Sequence, residues 1–473
     1  MIQMNENKRL IKNTGIIAIG NISTKLVSFL LLPLYTALLS TSEYGTYDYI
    51  LSIATFCVPF VSVLMDESIF RFLIDCTDEK EKKKIISTAW TIVIAGMLSF
   101  LIVGIPVMKA FHYSYTYYAV AYILLNSICG MLSALLRGIG RTDQYAVFNF
   151  LLGTIQIVLN VIFIAVFKMG LKGMLWAAIL SQTVVAIIFA VRIHLWEYIS
   201  IKQMSKPMAK KMITYSFPLI PNKISWTIIN LSDRIVLMNT LGSDSAGLYA
   251  VSYKFPNLMD TIYGFFYQSW KESSARIIGS GADSRDEFYN SVYDYLKNFM
   301  YAIVLGMIAF MPLAFRLLIN CNYYEALFYV PILLIGTYFS NVSGFYGGIF
   351  TAYKDTKIMG TTTLVAAIIN LVVNLTLISF IGIYAAAIST LVANVVIYIY
   401  RKRKVKKYIL LREAPKKSVV AILMTVIILI LFYTENIFCT VIACVLALIY
   451  AYATNRKIIS SIIKYLKKGH EKK

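Results

Sequence analysis

The sequence predicts an all-α integral membrane protein. About fourteen transmembrane helices form two six-helix lobes, related as a parallel pseudo-twofold repeat around a central cavity, plus two extra C-terminal helices. Three observations predict this. Runs of about 20 apolar residues recur along the 473-residue chain, and that length of helix crosses the hydrocarbon of a bilayer with every backbone group bonded internally. The composition is 59% hydrophobic and only 15% charged, with a mean hydropathy of +0.69, whereas soluble domains carry about 25% charged residues. Finally, a turn pattern around Gly45 returns around Gly247.

The elements follow in order. The N-terminus MIQMNENKRLIKN is short and basic, and it leads into an apolar run without a small-residue cleavage site, so it reads as the start of a first span. The first lobe, 1–193, holds spans at 14–38, 45–66, 85–108, 117–136, 145–167 and 173–193. A cytoplasmic linker, 194–213, mixes Trp and Tyr with Lys, as helices lying in the membrane surface do. The second lobe, 214–400, holds spans at 214–241, 247–270, 298–319, 327–352, 358–380 and 383–400. A basic cytoplasmic linker, 401–417, precedes the final segment 418–473, with two extra spans at 418–434 and 437–453 and a basic tail.

The formal net charge of +21 could point to nucleic acid, but its distribution points elsewhere. Most of the 45 Lys and Arg fall in segments that this span order places on one side, above all DEKEKKK at Asp78–Lys84, RKRKVKK at Arg401–Lys407 and the tail. The opposite loops hold Lys109, Lys168, Lys172 and Arg316. Basic residues retained on the cytoplasmic side set topology and attract anionic lipid, so both termini are expected inside. No basic stretch is interleaved with stacking aromatics in a soluble module, which excludes a nucleic-acid partner.

The repeat has a constant register. STSEYGTYDY at Ser40–Tyr49 aligns with GSDSAGLYAV at Gly242–Val251, putting Gly45 and Tyr47 on Gly247 and Tyr249. A second echo sets GRTDQ, Asn160 and Gly170 against YKDTK, Asn374 and Gly382. Six spans between equivalents leave both halves in the same orientation.

Four repeat-related spans carry polar stripes at helical spacing. Span 1 carries Asn21, Lys25 and Ser28; span 7 carries Lys223, Thr227, Asn230 and Arg234, with Asp233 at the edge. Span 2 carries Asp48, Ser52, Thr55 and Asp66, and span 8 carries Lys254, Asn257, Thr261 and Gln268, with Asp260 alongside. Charges at the bilayer centre cost about 2.5–3.5 kcal/mol, so such residues face a bundle interior or water and mark a route for something polar. The competing account is interhelical hydrogen bonding, worth about 0.6 kcal/mol per bond. Arg234 and Asp233 are adjacent and point about 100° apart on a helix. They do not neutralise each other; Asp48 and Asp260 are the candidate partners.

Several chemistries are missing. There is no GxxxxGK[ST] phosphate loop for ATP hydrolysis. The three histidines, His112, His194 and His470, are scattered in loops, and the six cysteines form no CxxC, so no metal and no cofactor is expected. No soluble domain interrupts the spans, which argues against an enzyme.

NKRLIKNTGIIAIGNISTKLVSFLLLPLYTALLSTSEYG, the inner turn LLRGIGRTDQYA and the 6+6+2 span count resemble the bacterial polysaccharide flippases of the multidrug/oligosaccharidyl-lipid/polysaccharide exporter superfamily. The resemblance runs over essentially the whole chain, in diffuse hydrophobic motifs. It implies a V-shaped pair of lobes whose cavity is lined by spans 1, 2, 7 and 8. It also implies a cargo: an undecaprenyl-diphosphate-linked oligosaccharide repeat unit, moved from the cytoplasmic to the outer leaflet by alternating access for O-antigen, capsule or exopolysaccharide synthesis. On that reading Lys25, Lys223, Arg234 and Lys254 meet the diphosphate, while Asn21, Asn230, Asn257 and Gln268 meet sugar hydroxyls. Asp48, Asp233 and Asp260 balance charge or couple transport to H⁺ or Na⁺. Partners would be the lipid-linked oligosaccharide, membrane lipid and the polysaccharide polymerase machinery, with the protein itself a monomer in the bacterial plasma membrane. The alternatives are a small-molecule or drug antiporter of the same superfamily and a membrane polysaccharide polymerase. Two extra spans disfavour the first, and short outer loops disfavour the second.

Overall fold

The computed structural model describes residues 29, 31–74, 76–110, 115–200, 203–279, 282–353, 355, 357–412 and 414–470. Among these the chain is helical, with no strand. It divides into two compact units, 1–247 and 248–473.

In the first unit, α1 (Leu32–Leu38) ends the first apolar run, and α2 (Thr41–Ser62) and α3 (Met65–Ile74) follow. Then come α4 (Glu79–Ala110), α5 (Thr116–Gly138), α6 (Thr142–Asn160, extended by a π-helical turn, Val161–Val166) and α7 (Gly170–Arg192). The short α8 (Lys206–Ser216) and α9 (Leu219–Thr240) complete it, and α10 (Ser243–Arg276) passes from one unit into the other. The second unit continues with α11 (Ala282–Leu318), a 3₁₀ segment (Cys321–Tyr329), α12 (Val330–Ala352), α13 (Lys357–Ile381), α14 (Tyr384–Val405), α15 (Pro415–Tyr433) and α16 (Ile437–His470).

Among the described residues ten helices are long and apolar enough to cross a membrane, or eleven if the bent pair α2–α3 is one span. The difference from fourteen has identifiable sources. The first predicted span lies mostly outside the described residues. Helices α9 and α10 have the length, at 22 and 34 residues, but are the ones loaded with polar side chains. Low hydropathy is what a helix with one face turned from lipid shows.

The predicted span 45–66 is not straight. Helix α2 stops at Ser62, and α3 leaves at 53° to it. Val63 and Leu64 between them both have φ of +50°, a left-handed conformation that is costly for a β-branched residue. Pro59, one turn earlier, has no N–H for the helical ladder. The linker also differs from one surface helix. Only α8 is regular there, with Ala209, Met212 and Ser216 buried and the Lys side chains outward. Met212 sits in the main apolar core of the first unit, and Ser68 of α3 donates to its carbonyl at 3.2 Å.

The turn Leu39–Gly45 shows why those residue types occur together. Ser40 caps α2, and Glu43 completes the box by accepting from the Ser40 N–H at 3.1 Å. The other oxygen of Glu43 accepts from the Leu171 N–H at 3.1 Å, so one carboxylate serves the N-termini of two helices. Gly170, at φ +55°, leaves room for it: a Cβ there would lie 2.2 Å from Glu43 Oε1. Its repeat counterpart Gly382 has φ +57°, so the echo seen in the sequence is an echo in backbone conformation.

The chain's packing divides at Gly247, inside α10. Helix α9 packs on α2, which draws it into the first unit. In the second unit α12, α13 and α14 form one layer, and the two extra helices α15 and α16 pack on α11.

Candidate functional site

Arg234 of α9 donates from Nε to Asp48 Oδ2 of α2 at 2.6 Å. The pair is largely removed from solvent, with the side chains 10% and 17% exposed. Position and partner both come from helical spacing: Asp48 lies one residue beyond the buried Tyr47, and Arg234 continues the face of Thr227. Asp48 is one of the two acidic partners proposed from sequence. Asp233 is buried, at 1% exposure.

One turn toward the start of α2, two glycines bring backbones together. A Cβ on Gly45 would lie 2.1 Å from the Ser243 carbonyl oxygen, and one on Gly247 would lie 1.9 Å from that of Thr41. No side chain fits between them, so the first turns of α2 and α10 touch main chain to main chain. Around this contact the Thr41 hydroxyl bonds to the Asp244 carboxylate, and Ser42 Oγ lies 2.6 Å from Ser243 Oγ. The two glycines aligned by the repeat are thus each other's neighbours.

Other predicted residues lie on α3, α9 and α10. Lys223 is exposed on α9 near Asp66 of α3, one of whose carboxylate oxygens is buried without a hydrogen bond. Asn257 and Gln268 are exposed on α10, and Lys254 and Asp260 are half-buried there. Asn21, Lys25 and Ser28, and the side chain of Asn230, lie outside the described residues. No group of three or more His, Cys, Asp or Glu stands close enough to hold a metal among the described residues.

A second polar centre was not anticipated. Arg401, read in the sequence as part of a basic cytoplasmic run, is 1% exposed. Its guanidinium donates to Thr362 Oγ1 at 3.0 Å, Thr363 Oγ1 at 3.2 Å, and the carbonyls of Ser343 at 3.3 Å and Met359 at 3.4 Å. All four acceptors are neutral. The signal for burial was present: Ala393, Ile397, Arg401 and Val405 recur every four residues, and all are buried. Facing it, the SGFYGG run of α12 admits aromatics from α10. The Tyr263 hydroxyl sits over Gly344, and the Trp270 indole sits over Gly348 and donates to the Phe345 carbonyl at 2.9 Å.

The fold matches the lipid II flippase MurJ in an inward closed conformation with a TM-score of 0.69 and 16% identity, over 94% of this chain and 99% of that one. It matches an inward-facing multidrug resistance MATE family transporter of the MOP superfamily at 0.68 and 14% identity, over 82% and 98%. A MOP superfamily transporter from Pyrococcus furiosus, described for the reverse polarity of its binding pocket, matches at 0.58 and 14%, over 84% and 95%. No curated protein sequence matches the chain. The polysaccharide biosynthesis protein family matches residues 10–270 of the 473. That segment is more than half of the chain and contains both partners of the Asp48–Arg234 pair, and the chain belongs to the polysaccharide biosynthesis protein family.

Proposed function

We propose that the protein is a flippase that moves an undecaprenyl-diphosphate-linked oligosaccharide repeat unit from the cytoplasmic to the outer leaflet by alternating access, for O-antigen, capsule or exopolysaccharide assembly. Family membership over the segment that holds the intramembrane Asp48–Arg234 pair carries this reading. A diphosphate bears about two negative charges and does not cross hydrocarbon without compensation. The guanidinium fork binds carboxylate and phosphate oxygens in the same geometry. Asp48 therefore acts as a counter-ion that the cargo displaces, keeping Arg234 neutralised between cycles. Lys223 in the first unit, and Lys254, Asn257 and Gln268 in the second, are proposed as further cargo contacts, with Asp233 and Asp260 balancing charge.

A drug antiporter is the second reading, since the MATE fold matches about as well. Coverage supports the first reading: the flippase match takes in 94% of this chain and the MATE match 82%.

Complementation of surface polysaccharide in a deletion strain, with membrane protein levels measured in parallel, tests the site. Arg234→Ala is expected to lose nearly all polysaccharide and Arg234→Lys to keep part. The exchange Asp48→Arg with Arg234→Asp keeps an ion pair, and so folding, but is expected not to transport. Full polysaccharide from the exchanged pair would make the pair structural. Full polysaccharide from normally expressed Arg234→Ala protein would remove Arg234 from the mechanism.

A further inference from the structure

Helix α10 carries a line of polar residues that the Asp48–Arg234 pair leaves unexplained. Asn257, Thr261, Gly264, Gln268 and Lys271 follow one another in steps of four and three, which places them along one face of the helix. Asn257, Gln268 and Lys271 are exposed. Among the described residues neither the Asn257 nor the Gln268 amide has a hydrogen-bond partner in the protein. The Thr261 hydroxyl donates to the Asn257 carbonyl at 2.8 Å and keeps its lone pairs to accept. Amides without partners do not face lipid hydrocarbon, so this line meets water or a polar ligand.

Gly264 stands at the middle of the line. A Cβ there would meet nothing within 4 Å among the described residues, so the bare helix backbone opens on an unfilled notch. Its neighbours three and four residues away are Asp260, Thr261, Tyr267 and Gln268: a carboxylate, a hydroxyl, an aromatic ring and an amide. No cation is among them. The ring is fixed from behind. Tyr267 stacks on Tyr263 at 5.7 Å between centres, and the Tyr263 hydroxyl sits over Gly344 of α12. Tyr263 also packs on Phe266, Phe266 on Trp270, and Trp270 on Phe345 of α12 at 4.2 Å. The Lys271 ammonium lies 5.8 Å from the Tyr267 ring centre, on an exposed side chain.

We infer that the Gly264 notch is the subsite for a sugar ring of the cargo, with Tyr267 as its stacking platform. The inference rests on the flippase reading, which gives Arg234 the diphosphate, and it gives the sugar its own contacts on α10. A pyranose has an apolar C–H face and a rim of hydroxyls. Its C–H bonds carry partial positive charge and are drawn to an aromatic face as a cation is, so the sugar takes the place of the Lys271 ammonium over Tyr267. The hydroxyl rim both donates and accepts, which matches the Asn257 and Gln268 amides and the Thr261 lone pairs. A glycine lets the ring approach the helix backbone where any side chain would hold it off. With a carboxylate and no cation around Gly264, the notch suits a neutral sugar and disfavours a phosphate.

The test uses the purified full-length protein in detergent and in vesicles. The probes are the oligosaccharide released by mild acid from the cells' own polyprenyl-diphosphate precursor, inorganic diphosphate, and the intact precursor. The oligosaccharide alone should bind the wild-type protein. Gly264→Leu adds a side chain into open space, so it should fold and reach the membrane at wild-type level while weakening oligosaccharide binding about tenfold or more. Tyr267→Ala should weaken it about tenfold, as loss of one aromatic contact does, and Tyr267→Phe should stay near the wild-type value. In vesicles Gly264→Leu and Tyr267→Ala should raise KM for the lipid-linked sugar with kcat little changed. No oligosaccharide binding by the wild type, or wild-type affinity in folded Gly264→Leu protein, would overturn the notch. Wild-type affinity in Tyr267→Ala protein would overturn the platform. Inorganic diphosphate binding that depends on Gly264 would overturn the sugar assignment. Wild-type protein that binds the oligosaccharide through Gly264, yet leaves the lipid-linked sugar on its starting leaflet, would keep the sugar site and overturn the flippase reading.

Discussion

Oxidation of a Ser42→Cys/Ser243→Cys variant, made with the six native cysteines replaced, is expected to reduce transport to background, and a reductant is expected to restore it. The two hydroxyl oxygens are 2.6 Å apart, so sulfurs at these positions reach the roughly 2.05 Å of a disulfide with little backbone movement. The physical reason to expect a complete block is the glycine contact beneath them. Gly45 and Gly247 let the first turns of α2 and α10 meet with no side chain between, and under the proposed alternating access this contact is expected to break and re-form once per cycle. A covalent bond holds it shut. Surface polysaccharide in cells grown with and without reductant reads the result. Normal polysaccharide from fully oxidised protein would show that this contact never opens during transport.

Arg401→Ala is expected to remove most folded protein from the membrane. The side chain ties α14 to α12 and α13 through four hydrogen bonds. Its loss leaves a cavity and removes bonds to buried carbonyls, together worth about 3 kcal/mol or more. Arg401→Lys keeps the charge but has no planar fork to reach Thr362, Thr363 and two carbonyls at once, so an intermediate loss is expected. Thermal unfolding in detergent and membrane protein level give the measurement. Wild-type stability of Arg401→Ala would mean that the neutral acceptors do not reward burial of the cation.

What could be read from sequence follows from how strongly each feature is written into local pattern. Ten spans stand out because their apolar runs are long and their charges sit at the ends. Helices α9 and α10 were legible for the opposite reason: Lys223, Asp233, Arg234, Lys254 and Asp260 interrupt apolar runs at helical spacing. The Arg234–Asp48 pair was open to inference because a buried charge demands a partner and few carboxylates stood at matching depth. The break at Val63 and Leu64 was not, since neither residue favours a positive φ and only tertiary packing holds them there. Arg401 was hidden by company. It begins a run of basic residues, and its burial shows only when α14 is read in steps of four. The glycine contact is intermediate: the repeat identified both residues but not that they meet.

The proposed route carries a lipid-linked, diphosphate-bearing sugar across the membrane past Arg234. The most direct measurement reconstitutes the purified full-length chain in sealed vesicles with a polyprenyl-diphosphate-linked oligosaccharide confined to one leaflet. Appearance of the sugar on the opposite face is followed with a membrane-impermeant reagent that modifies it. The account predicts that the wild-type protein delivers the sugar to the opposite face and that folded Arg234→Ala protein leaves it where it began. Sugar retained on the starting leaflet by the folded wild-type protein, or delivered equally by Arg234→Ala, would contradict it.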